Sequence, residues 1–138
     1  MLRAAVDEMA GEVVHFEIPY ERPERAKKFY SEIFGWKLND LPEMKYTLVS
    51  TGPVDEKGML TRPGMINGGM MLRKAPVKSP VVTISVDNIE KTFEMIEARG
   101  GKTLIKRQQV GDMGWSAYAK DSEGNVIGLW QTNPNHKM

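Results

Sequence analysis

The feature that most constrains this chain is that it runs twice through one pattern, 66 residues apart. Shifted by that interval, Ile18 falls on Ile84, Glu24 on Glu90, Arg25 on Lys91, Gly35 on Gly101 and Leu38 on Leu104. A supersecondary unit that occurs twice buries its apolar face against a shared core, because one such unit is too small to be stable alone. With 138 residues, the expectation is a single domain of two modules, residues 12–73 and 80–131, followed by a polar tail over 132–138.

Each copy opens with a strand and a helix. "EVVHFEIPY" alternates Val14, Phe16 and Ile18 with Val13, His15 and Glu17, the period of a half-buried strand. "RPERAKKFYSEIFGW" then reads as a helix. Pro23 suits the first helical position, Glu24 complements the dipole, and Gly35 provides a left-handed stop. Ala26, Phe29, Tyr30 and Ile33 form a helical stripe expected to face the core. Strands are expected at "WKLNDL", "KYTLVST" and "GMINGGMML", with "GPVDEKGMLTRPG" as a loop. In the second copy "SPVVTISV" is a strand and "DNIEKTFEMIEARGG" a helix, capped by Asp87 or Asn88 and stopped by Gly100. "KTLIKRQQV", "WSAYAKD" and "NVIGLWQ" follow as strands, the last two joined by a "SEG" hairpin.

Composition excludes several classes. Nineteen Lys and Arg against 18 Asp and Glu leave a net charge of +1, with no footprint for nucleic acid or an anionic membrane surface. No apolar run approaches the roughly 20 residues of a membrane span. The N-terminal "MLRAAVDEMAGE" carries acids where an export signal carries its apolar stretch. Cysteine is absent, which removes thiolate metal sites and Cys nucleophiles and agrees with a cytoplasmic location. "QQVGDMG" does not lead from a strand into a helix, so it is not a phosphate loop; it reads as a flap or a plain connector.

Three segments carry a family resemblance: "HFEIPYERPERAKKFYSEIFGWKL", "ISVDNIEKTFEMIEARGGK" and "AYAKDSEGNVIGLWQ". Together they make the chain resemble the vicinal oxygen chelate superfamily, which includes glyoxalase I, bleomycin-resistance proteins and extradiol dioxygenases. The resemblance implies an α+β fold in which two tandem βαβββ modules form a curled mixed sheet with a concave cleft, and it implies a homodimer. Metal-dependent members take one ligand from the first strand and one from the last strand of each module. The corresponding positions here are His15, Gly69, Val81 and Gly128, and three of those four have no donor atom. The expectation is therefore no metal and no cofactor.

What remains is a cleft between the two modules for a small, partly apolar molecule. His15 and Glu17 share a strand face and form the best polar pair in the chain. The same alternation adds Asn67, Met71, Thr83, Ser85, Val126 and Trp130, with Trp115, Tyr46 and Tyr118 as further aromatic candidates whose strand faces stay open. His15 itself has three readings: a half-buried strand histidine, a ligand contact or a general base. Gly69 and Gly128, as glycines within strands, mark close approach of a neighbour or a bend. The rival functional reading is a metal-dependent glyoxalase-like lyase, isomerase or dioxygenase with ligands supplied partly by another chain.

Overall fold

The computed structural model describes residues 10–57 and 59–135. Most of the stretch read for an export signal, and His136 in the polar tail, lie outside the described residues. The chain is α+β; the described residues form eight strands and two α-helices in the order expected from the repeat, with a short 3-10 turn at Pro42–Met44. The strands are β1 (Val13–Tyr20), β2 (Lys37–Leu41), β3 (Tyr46–Ser50), β4 (Gly68–Leu72), β5 (Val81–Ser85), β6 (Lys102–Val110), β7 (Gly114–Lys120) and β8 (Val126–Thr132). Helix α1 covers Pro23–Phe34 and α2 covers Ile89–Ala98. No helix among the described residues is long and apolar enough to cross a membrane.

Contacts divide the chain into two compact units. One is His15–Val81, with strand order β2-β3-β4-β1. Its first and last strands pair in parallel, while β2 with β3 and β3 with β4 are antiparallel. The other contains residues 82–135 together with 10–14. Its strand order is β5-β8-β7-β6, again with first and last strands parallel and the rest antiparallel. Residues 10–14 enter this unit through Ser85: the Gly11 N–H donates to its carbonyl at 2.6 Å and its own N–H donates to Glu12 O at 2.8 Å. In register, Glu17 stands opposite Gly69 and Thr83, 66 residues on, stands opposite Gly128, which follows Gly69 by 59, so the interval holds on the first strands and shortens by seven on the last.

Local chemistry explains the ends of the elements. Gly35 adopts φ +73°, where other residues are strained, and its N–H closes α1 onto Ser31 O at 3.0 Å. Asn88 is the cap of α2, its side chain accepting from the Lys91 N–H at 3.0 Å. Between β7 and β8 the Asp121 carboxylate accepts from the N–H groups of Glu123 and Asn125 at 2.8 and 2.9 Å. The strand expected from Gly64 starts only at Gly68, because the backbone before it bonds sideways. There the Thr51 hydroxyl donates to Ile66 O at 2.6 Å and the Thr51 N–H donates to Asn67 Oδ1 at 3.0 Å.

The two helices pack differently. In the second unit Ile89 and Phe93 of α2 are buried with Ala117 and Ala119 of β7 and Leu129 of β8. In the first unit α1 has no buried residue. The stripe expected to face the core is corrected here: Phe29 and Ile33 are 50% and 59% exposed. Tyr30 instead stacks on Trp36 at 4.8 Å, and Trp36 leans on Phe16 of β1 at 5.6 Å. Lys27, which corresponds to Phe93, donates to Asp40 of β2 at 2.8 Å and lies 3.1 Å from Glu24. An ion pair thus stands where the second unit has a core phenylalanine, and the stripe is split, with Phe29 and Ile33 outward and Ala26 and Tyr30 half-buried.

This difference predicts unequal costs for equal truncations. Phe93→Ala should destabilise the protein by about 3–5 kcal/mol, since it empties a packed core position. Phe29→Ala should cost less than about 1 kcal/mol. Urea unfolding of the two variants side by side checks this, and equal losses would refute the assigned helix faces.

Candidate functional site

The pleat of β1 sends His15 and Glu17 to one side and Phe16 to the other, where it meets Trp36. On the His15 side the decisive neighbour is Tyr46, the first residue of β3. Its hydroxyl donates to Glu17 Oε2 at 2.7 Å and lies 2.8 Å from His15 Nε2. One phenol oxygen therefore bridges an imidazole and a carboxylate. Glu17 is 7% exposed, and a buried carboxylate is tolerable only with such partners.

The bridge depends on Gly69. A Cβ built at that position would collide with the Tyr46 hydroxyl, Cζ and Cε2. Gly69 pairs with Glu17 across β1/β4 and with Leu48 across β3/β4, which brings the aromatic ring over its bare backbone. The sequence marked Gly69 as a point of close approach without identifying what approaches. The answer comes from a strand 23 residues earlier in the chain (69 − 46), a distance at which no local pattern reports.

Of the other residues expected at the site, Asn67 and Met71 lie in the same unit. Asn67 uses its amide oxygen on Thr51, and Met71 is half-buried opposite Pro19. In the second unit Thr83 is buried opposite Gly128, and a Cβ at Gly128 would come within 2.7 Å of the Thr83 hydroxyl. Each unit thus has a glycine on its last strand making room for a hydroxyl, phenolic in one and aliphatic in the other. Ser85 is buried opposite Trp130, whose indole N–H donates to Thr132 Oγ1 at 3.0 Å. Trp115 packs beside the α2 core with the Arg107 guanidinium 5.0 Å from its ring. An open groove of about 260 Å³ in the first unit is lined by Tyr20, Lys27, Asp40, Lys45, Tyr46 and Thr47, so Tyr46 belongs to both groove and bridge.

The donor set does not fit the divalent metal that the resemblance implies. Gly69, Val81 and Gly128 offer no side-chain donor. No group of three or more His, Cys, Asp or Glu among the described residues is placed to hold a metal. The space between His15 and Glu17 is taken by the phenol oxygen.

Burial pushes the His15 imidazole below its ordinary value of 6.5, with the Glu17 carboxylate opposing in part. The ring is therefore neutral at pH 7. The unfolded chain binds a proton at His15 more readily than the folded chain, so this residue contributes fully above about pH 6.5 and its contribution falls as pH drops through that value. His15→Gln should flatten the loss of stability on acidification. Unfolding midpoints of wild type and variant between about pH 5 and 8 measure this; parallel curves would contradict a buried, proton-resisting imidazole.

Residues 12–52 match the family of bleomycin resistance protein-like N-terminal domains. A glyoxylase-like domain-containing protein of Didymella fabae is 31% identical over 121 residues, covering 84% of this chain and 90% of that protein. CFP32 of Mycobacterium tuberculosis is 29% identical over 111 residues, 78% of this chain, and the match spans only 41% of its length. Among solved structures, methylmalonyl-CoA epimerase from Mycobacterium tuberculosis superposes with a TM-score of 0.60 at 14% identity, covering 97% of this chain and 94% of that one. Sequence and topology together establish that the chain belongs to the glyoxalase/bleomycin-resistance group of the vicinal oxygen chelate superfamily.

Proposed function

We propose that this protein binds a small, partly apolar molecule at the polar centre formed by His15, Glu17 and Tyr46, and that it does so without a resident divalent metal. The observation that carries the reading is the phenol oxygen held at 2.8 and 2.7 Å between imidazole and carboxylate. It supplies hydrogen-bonding groups at the module's polar face and leaves no gap for a cation. Zinc, nickel, iron and manganese in the purified protein are expected well below one equivalent per chain. One tightly held metal, lost in His15→Ala, would overturn the reading.

Acid–base catalysis is a second reading, favoured by the same three residues. A neutral imidazole, a phenol and a carboxylate in one hydrogen-bonded row can pass a proton without a Lewis acid. Relatives named for glyoxylase-like domains make the hemithioacetal of methylglyoxal and glutathione the substrate to try first. Turnover without added metal, reduced by at least about tenfold in Glu17→Gln, is the expected result on this reading. No turnover with or without zinc or nickel would retire it.

A further inference from the structure

We infer that Tyr46 is the positioning residue of this site: seated in the gap at Gly69, its hydroxyl holds the His15 proton on Nε2 and leaves Nδ1 as the open acceptor for an O–H or N–H of the bound molecule. The inference rests on the binding site proposed above and goes further by naming the atom that meets the ligand and the chemistry it selects.

The argument is a count of protons. A carboxylate only accepts, so the phenol donates its single proton to Glu17. The 2.8 Å contact between the same oxygen and His15 Nε2 then has to be made by a proton on the imidazole. A neutral ring carries one such proton, so Nδ1 holds a lone pair. Nδ1 makes no hydrogen bond among the described residues and is not sealed from solvent. The row Nε2–H to phenol to carboxylate points all its donors inward, toward Glu17. The imidazole atom that remains is a pure acceptor, and it selects a weakly acidic donor such as an enol, a phenol or a ring N–H. A ligand offering only acceptors gains nothing there.

The test uses the full chain with ¹⁵N-labelled histidine, and its first arm needs no ligand. Nε2 of His15 should carry the proton, exchanging with water about tenfold more slowly than in Tyr46→Phe, which keeps the ring over Gly69 and removes only the hydroxyl. A proton on Nδ1 in the wild type, or equal exchange in both proteins, would overturn the inference; the wild-type tautomer decides alone if the variant does not fold. In the second arm, phenol is titrated as the simplest aromatic with one acidic O–H. A saturable shift at Nδ1 is expected, and a shift confined to Nε2, or none at millimolar phenol, would refute Nδ1 as the acceptor. The two readings fail differently: a metal on Nε2 sinks the metal-free site, whereas a proton on Nδ1 without metal sinks only the role of Tyr46.

Discussion

In each unit the first strand lies parallel to the last, and that pairing sets the geometry of everything else. Parallel strands cannot be joined by a tight turn, so the chain has to leave the sheet between them; here it runs a helix and then two antiparallel strands before the pairing forms. The same pairing places position 17 against 69 and position 83 against 128. A side chain on the first strand therefore faces the backbone of the last at a fixed register. The chemistry at that register follows from what the last strand leaves unfilled.

The two units fill it differently, and their helices follow suit. In the second, Phe93 and Ile89 hold α2 onto β7 and β8, and Thr83 fits against Gly128. In the first, Lys27 bonds to Asp40 in place of the core phenylalanine, and α1 is held through the stack of Tyr30, Trp36 and Phe16. A surface ion pair contributes little stability, at most about 1 kcal/mol. The first unit is thus held more by its aromatic column and its sheet than by its helix. The same aromatic column occupies the far side of β1 from His15, so the strand that carries the site is packed on one face and polar on the other.

Much of this was legible in the residues. The repeat interval, the two strand–helix openings, the Pro23 start, the Gly35 stop and the Asn88 cap all follow from local chemistry that does not depend on distant partners. His15 and Glu17 could be placed on one face because period 2 is a property of the strand itself. Tyr46 could not be placed, because its position over Gly69 depends on β3 pairing with β4 and β4 with β1. The exposure of Phe29 and Ile33 on α1 was hidden for a related reason. Phe29 and Ile33 have the spacing of a core face, but which residues of the stripe find partners depends on Trp36 and Phe16, a contact that reaches from the helix to β1.

Gly69 and Tyr46 also bear on how such a protein changes over generations. Any side chain at position 69 collides with the phenol as long as Tyr46 is present. Loss of Tyr46 first removes the phenol proton that Glu17 accepts and leaves a hollow above a bare glycine, both of which destabilise. Positions 46 and 69 are therefore coupled, and neither changes alone without a collision or a hollow.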